Sequence, residues 1–276
     1  MNRIDHAFQR ESRGHRLIPF ITAGDPNKET TLDLIRLLDA EGVTAIELGV
    51  PYSDPLADGP VIQAASDRAL AGGMTLAGVL ELAREARQDG VQTPLILFTY
   101  YNPVLRWGPA SLVKAAFDAG FDGFIIPDLP LEESGELDRI AQEAGLHLIP
   151  LVAPTSRERI RAIVSTRRGG FIYCVSSLGT TGMRREFADG IESFLDEVRR
   201  QSTVPVAVGF GISHPDHVKR MTEHADAAVV GSALVKRVES LGERLKQSES
   251  RPQALDEVRR FIRELSGRDV PATSGK

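Results

Sequence analysis

A carboxylate inside an apolar run demands an explanation, and Glu47 is such a group: it lies in AIELGV, within the run from Val43 to Leu48. Taking an ionised side chain out of water is costly unless the fold uses or pairs it. In an extended strand side chains alternate between faces, so Thr44, Ile46 and Leu48 share one face and Ala45, Glu47 and Gly49 the other. If the bulkier set packs outward, Glu47 points inward between two residues too small to fill the space. Burial would push its carboxyl toward neutral pKa, which suits a group that both gives and takes a proton. The plainer alternative is an inward Glu paired to a lysine or solvated at the rim.

The segment that follows, PYSDPLADGP, carries Asp54 and Asp58. Its three prolines and one glycine fix the course of the loop, so both carboxylates can be held in place. Turn chemistry alone would also explain an Asp before Pro or Gly. Late in the chain come three glycine-bearing segments: SSLGTTG ending at Gly182, GFGIS with Gly209 and Gly211, and GSALVK with Gly231 and Ser232 opening a helix. Each can present backbone amides to an anion, and a helix N-terminus adds its dipole. Tyr173 shares a strand face with Phe171 and Val175, either as a core aromatic or facing substrate. The histidines, 6, 15, 147, 214, 217 and 224, form no metal-like pair on a strand end; His214 and His217, three apart on one helix, fit a solvated face.

Eight apolar runs could position these groups: Leu17 to Ile21, Val43 to Leu48, Pro94 to Phe98, Phe121 to Ile126, Leu146 to Val152, Phe171 to Val175, Val204 to Val208 and Ala225 to Val230. Near-continuous apolar strands are covered on both faces, as parallel strands are. Segments of helical period separate them, for example Leu234, Val238, Leu241 and Leu245. Asp25 with Pro26, and Ser213 ahead of Pro215, are candidate helix starts; Gly42, Gly90, Gly120 and Gly145 stand where helices end. Eight strand–helix units favour an α/β fold of the (β/α)8 TIM-barrel type over an open sheet, with active-site residues at the C-terminal strand ends. An extra N-terminal helix with Ile4, Ala7 and Phe8 would cover the barrel bottom, and an extra C-terminal helix would carry Leu255, Val258, Phe261, Ile262 and Leu265. The expected organisation is one catalytic domain over 1–265 and a flexible tail over 266–276.

Lysine plus arginine (33) against acidic residues (38) gives a net charge of −5, with pI near 5.8. Neither nucleic acid nor an anionic membrane is indicated. The single cysteine, Cys174, excludes an internal disulfide and a Cys-based zinc site. A polar N-terminus and the lack of any run of 18 apolar residues argue against a signal peptide or membrane span, so a cytoplasmic location is expected.

The segments LIPFITAGDP, IELGVPYSDPLADGPVIQ, YYNPVL, GFDGFIIPDLPLEES, LVAPTS, FIYCVSSLGTTG, GFGIS and GSALVK together resemble the tryptophan synthase alpha subunit family over roughly residues 1–265. The resemblance implies a (β/α)8 lyase that splits indole-3-glycerol phosphate into indole and glyceraldehyde 3-phosphate, the first half of the last step of tryptophan biosynthesis. Glu47 falls on the acid-base carboxylate that protonates indole C3, and Asp58 on the carboxylate that binds the indole N–H and offsets the indolenine charge. Phe20, Ile62, Tyr100, Ile125 and Phe210 match the indole pocket, and Tyr173 a tyrosine near the catalytic Glu. Gly182, Gly211, Gly231 and Ser232 match the phosphate cradle, and Thr181 a loop threonine that closes over substrate. Pro51, Asp54 and Pro55 match the edge that meets a beta subunit in an α2β2 complex. Pyridoxal phosphate would belong to that partner, with no cofactor or metal in this chain; Lys28, Lys114, Lys219, Lys236 and Lys246 fall in predicted helices or their edges, none on a strand end for a Schiff base.

Thr180, Met183, Arg184 and Arg185 depart from the family pattern in the closing loop, and Phe98 and Pro150 read as core variation. The alternatives are a stand-alone indole-3-glycerol phosphate lyase, a phosphosugar isomerase barrel and a non-catalytic activating subunit. An isomerase needs acid-base groups at opposite strand ends, whereas here the acids cluster after the second strand; an activating subunit would have lost a carboxylate.

Overall fold

A computed structural model of the chain describes residues 2–10, 16–165, 168–175, 190–209 and 211–268. Its strands are β1 (Leu17–Thr22), β2 (Ile46–Gly49), β3 (Leu95–Phe98), β4 (Gly123–Ile125), β5 (His147–Leu148), β6 (Leu151–Val152), β7 (Ile172–Val175), β8 (Val206–Gly209) and β9 (Ala227–Val230). All pair in parallel, in the order β5-β4-β3-β2-β1-β9-β8-β7-β6. The two ends of that order, β5 and β6, are separated only by Ile149 and Pro150. The Ile149 N–H donates to Phe124 O at 2.8 Å, and the Tyr173 N–H donates to Pro150 O at 3.0 Å, so this one stretch joins both ends and closes the sheet into a barrel. The fifth apolar run is therefore two short strands rather than one. Pro150 has no N–H to give, and the ladder breaks there.

Side-chain alternation sorts the interior into two layers. Ile46, Leu48, Leu97, Val208 and Val230 face the helices, while Ile18, Ala45, Ile96, Ile125, Ile149 and Phe171 fill the lumen. Helix α1 (Arg3–Arg10) plugs the lumen from below, as expected, by adding Ile4 and Phe8 to the inner cluster. The Phe8 and Phe171 rings lie 5.5 Å apart. Polar contacts to strand starts hold the plug: Asp5 accepts from the Gly170 N–H at 2.8 Å and lies 3.1 Å from His147 Nε2, and Arg3 pairs with Asp122 at 3.0 Å. Asp122 also takes Arg87 and the Leu95 N–H, each at 2.9 Å.

Two sequence-level helix starts are corrected. Helix α2 (Lys28–Ala40) is capped by Asn27, whose side chain accepts from the Thr30 N–H at 2.8 Å; Asp25 instead turns its carboxylate to Arg68. Helix α10 (Pro215–His224) is capped by the ring of His214 rather than by Ser213. The expected glycine stop after α6 (Pro109–Ala119) is present: Gly120 has φ 89°, in the left-handed region that glycine alone adopts without strain. Gly42, Gly90 and Gly145 also have positive φ.

The C-terminal helix α13 (Arg251–Ser266) buries Val258, Ile262 and Leu265, and Arg263 pairs with Glu41 at 2.8 Å. Ser266, which the sequence places at the head of the tail, closes this helix and is buried, and Arg268 donates to the Glu41 carbonyl. Among the described residues, no helix is long and apolar enough to cross a membrane.

Ile4 is fully buried where the plug meets the lumen. Ile4→Ala should lower unfolding stability by about 2–5 kcal/mol, read as a drop in the urea midpoint. A loss below about 0.5 kcal/mol, the scale of ordinary surface substitutions, would show that the barrel does not depend on its plug.

Candidate active site

Glu47 lies in β2 with its strand neighbours Ile46 and Leu48 facing outward, so its side chain turns into the lumen. It is 1% exposed, and among the described residues its Oε1 has no hydrogen-bond partner. Burial pushes its carboxyl up to about 8, so the group is mainly neutral at pH 7. Gly49, beyond it on the same face, makes room for an aromatic ring: a Cβ there would come 2.5 Å from Phe20 Cζ. Phe20 therefore takes up part of the space that the two small neighbours of Glu47 leave. Its ring meets Phe98 edge-on at 5.2 Å and packs with Ile62, Ala65 and Val235.

Asp58 is also buried, at the end of the proline-rich loop and just before helix α3 (Pro60–Ala71). Tyr100 holds it. The Tyr100 hydroxyl accepts from the Ala57 N–H at 3.0 Å and donates to Asp58 Oδ2 at 3.0 Å, while Gln63 donates to the Asp58 carbonyl at 2.7 Å. Tyr52 stacks on Tyr100 with ring centroids 5.1 Å apart. Burial raises the Asp58 carboxyl to about 6, with the Tyr100 hydrogen bond pulling the other way, so Asp58 is mainly ionised at neutral pH. Two carboxyl groups with unequal proton affinity thus belong to consecutive segments of chain.

Tyr173 joins the inner cluster beside Phe98 and Leu151, and its ring lies over Gly209, where a Cβ would meet Tyr173 Cζ at 2.8 Å. Burial, and then the charges of Glu47 and Asp58, hold its phenol well above the usual range. Ile125 is buried in the same lumen. Ser232 is buried and opens helix α11 (Ser232–Ser240), with Gly231 ahead of it. Leu234 and Val235 donate to the Gly231 carbonyl at 2.9 and 3.0 Å, whereas the N–H groups of Ser232 and Ala233 point out of the first turn, where a helix offers no acceptor of its own. A Cβ on Gly231 would lie 3.8 Å from Phe20 Cβ, so this helix end adjoins the aromatic wall. Gly211 has φ 55° in the loop after β8. Thr181, Gly182 and Phe210, and the departures Thr180, Met183, Arg184 and Arg185, lie outside the described residues.

In the loop after β2, Pro51 is buried, Pro55 half-buried and Asp54 exposed, its carboxylate accepting from Ser53 Oγ at 2.5 Å. Among the described residues no three His, Cys, Asp or Glu side chains converge as a metal site. Lys28, Lys114, Lys219, Lys236 and Lys246 all lie in helices. Cys174 is fully buried on the outward face of β7, and burial drives its thiol pKa up.

Three residues passed over in the sequence have a place here. Phe98, read as core variation, builds the wall with Phe20; it pairs in register with Gly49, and a large residue beside a glycine on the next strand is the signal that could have shown it. Tyr52 braces Tyr100, and Arg68 reaches Asp25 from α3.

Comparison with known proteins matches the family model described as tryptophan synthase alpha chain to residues 7–264. This chain belongs to the tryptophan synthase alpha chain family. The alpha chain of Geobacillus stearothermophilus is 53% identical over 249 residues, covering 90% of this chain and 92% of that protein. That of Bacillus subtilis strain 168 is 50% identical over 250 residues, covering 91% and 93%. A crystal structure of the Legionella pneumophila alpha chain superposes with a TM-score of 0.85 at 33% identity, covering 100% of both chains. A Pyrococcus furiosus structure concerned with mutual activation of its tryptophan synthase α2β2 complex gives 0.82 at 39% identity, covering 92% of this chain and 98% of that one. The chain is thus an alpha-type enzyme subunit of tryptophan synthase on a TIM-like barrel.

Buried Glu47 makes stability depend on pH with a definite sign. Its folded pKa, about 8, lies above its unfolded 4.5, so its contribution is fully present below about pH 4.5 and is lost as pH rises through 8. Glu47→Gln cannot titrate, and its stability relative to the parent should climb across that window by roughly a few kcal/mol. Urea unfolding of both chains at pH 5, 6, 7 and 8 reads this; a constant difference would place the Glu47 pKa in the ordinary range.

Proposed function

We propose that Glu47 and Asp58 carry out the retro-aldol cleavage of indole-3-glycerol phosphate. The observation that supports this most is the pair itself: a neutral carboxyl and an ionised one, both buried beside an aromatic wall that ends at a helix N-terminus. Breaking the bond from indole C3 to the side chain needs an electron sink. Neutral Glu47 gives its proton to C3, which turns the ring into a cationic indolenine. Ionised Asp58 accepts the indole N–H and offsets that charge. The bonding pair then returns to the ring, the side-chain hydroxyl becomes the aldehyde, and its proton goes to the Glu47 carboxylate, so the acid is regenerated within one turnover.

Phe20, Phe98, Ile62, Ile125 and Tyr173 would enclose the indole, with Phe210 and Thr181 assigned by resemblance. The phosphate would rest on the amides of Gly231, Ser232 and Gly211 and on the Ser232 hydroxyl, with Gly182 assigned by resemblance. Such a cradle uses a helix dipole and fixed donors, which suits a chain whose net charge is −5. Indole would pass to a beta subunit, where pyridoxal phosphate would supply the chemistry that joins it to serine. The face for that partner would include Pro51, Asp54 and Pro55. Leu56, 84% exposed, belongs to the same loop. Pro51, Tyr52 and Ser53 of that loop line a cleft of about 390 Å³ together with Trp107, and Leu105, two residues before Trp107, is exposed. Apolar side chains on such a loop are what a partner surface covers. A buried, unpaired thiol and the absence, among described residues, of any helix fit to cross a membrane accord with a cytoplasmic setting.

The direct test mixes the purified chain with indole-3-glycerol phosphate, with and without a beta subunit, and follows indole. Glu47→Gln should keep fold and phosphate binding yet lose cleavage by a factor of about 10² or more, and Asp58→Asn should also be impaired. Parental rates in either variant would remove that residue from the chemistry. Asp54→Ala should cleave at the parental isolated rate and fail to gain the activation conferred by the beta subunit, because partner contact would order the loop that ends at Asp58. Titrating beta subunit against both chains reads this, and full activation of the variant would clear Asp54 of a coupling role.

A further inference from the structure

The site as read above has two ends on two helices. Asp58 stands just before α3, with Ile62 in its first turn, and the amides of Gly231 and Ser232 stand at the start of α11. Near those starts the helices touch through apolar side chains: Ile62 and Ala65 pack with Val235 and Phe20 in one cluster. Farther along both helices, the contact is ionic. Arg68 of α3 forks onto Asp25, Nε to Oδ1 and Nη2 to Oδ2, both at 2.9 Å, and its Nη1 reaches Glu239 Oε1 of α11 at 2.7 Å. The Asp25 carboxylate is 3% exposed and stands in the loop that leaves β1, the strand that carries Phe20. That loop is itself anchored, since the Gly24 N–H donates to Thr31 Oγ1 at 2.9 Å. One planar guanidinium therefore ties together the β1 loop, the helix after Asp58 and the phosphate helix, with the fork geometry that lysine lacks.

We infer that Arg68 is a positioning residue that sets the separation between the indole end and the phosphate end of the substrate site, an inference that rests on the function proposed above. The apolar cluster and this ion pair hold the two helices together at two separate places. With the ion pair lost, the far end of α11 is held to α3 less firmly, and the Ser232 N–H is placed less exactly relative to Asp58. A ligand that spans both ends feels that change; a ligand that occupies one end does not.

The experiment compares three probes on each variant: indole-3-glycerol phosphate for KM and kcat, glycerol 3-phosphate as a competitive inhibitor for the phosphate end, and indole for the other end. For Arg68→Met, KM for the full substrate should rise about tenfold, within the range that small misplacements cost, while affinity for each fragment stays within about twofold of the parent. Arg68→Lys should recover part of the loss. Glu239→Gln, which leaves the buried fork to Asp25 intact, should give a smaller change of the same kind. If Arg68→Met leaves Asp25 stranded and does not fold, the double variant Asp25→Asn with Arg68→Met removes both charges and carries the same comparison. An unchanged KM would overturn the inference. Equal weakening of substrate and both fragments would also overturn it, since that is general damage to the site. A parental chain on which glycerol 3-phosphate does not compete with substrate would instead refute the phosphate reading, before any variant is considered.

Discussion

A closed parallel barrel has a lumen of fixed size, and every strand must divide its side chains between that lumen and the surrounding helices. The division here is uneven along the barrel axis. Near the strand starts, Phe171, Ile149 and Ile18 fill the interior together with Ile4 and Phe8 of the plug. Near the strand ends, Gly49 and Gly209 leave the inner face without side chains, and the rings of Phe20 and Tyr173 lie across them. Glu47 is held at the boundary between the packed part and the open part. Its neutrality follows from that position: with no cation or donor among the described residues to favour the anion, desolvation alone decides its charge.

The same strand arrangement explains why the second carboxyl differs. Asp58 stands beyond the end of β2, where the chain has left the barrel wall and a phenol can reach it. Tyr100 donates to it and is itself fixed by the Ala57 amide, so the anion has a donor that Glu47 lacks. Strand β1 links these parts to the start of α11. Its first residues pair with β9 and its last with β2, Leu17 to Pro19 against Ala228 to Val230 and Phe20 to Thr22 against Glu47 to Gly49. Phe20 is therefore the point from which the wall extends to Glu47 on one side and to Gly231 on the other.

Most of this architecture was legible in the sequence because burial on both faces leaves a plain mark: near-continuous apolar runs at regular intervals. The inward direction of Glu47 followed from alternation within four residues. What local pattern could not show was long-range. Pro150 breaks the fifth run, yet its effect depends on which strands lie on either side. Asp25 beside proline looked like a helix cap, and only the fold brings Arg68, 43 residues on, to claim it. Phe98 looked like ordinary core because its partner Phe20 is on a strand two places away in the sheet. Gly182, Thr181 and Phe210 rest on the resemblance, since the described residues do not include them.

The chain has one sulfhydryl, and its setting makes it a natural reporter. Cys174 sits in the middle of β7, fully buried under the helical layer, with its thiolate disfavoured by the same desolvation that keeps Glu47 neutral. An alkylating reagent in solution reaches that sulfur only when the wall of the barrel has come apart around it. Labelling of the native protein would thus be silent during loop movement or ligand exchange and would mark only molecules that had opened to the core, a count of opening events taken one chain at a time.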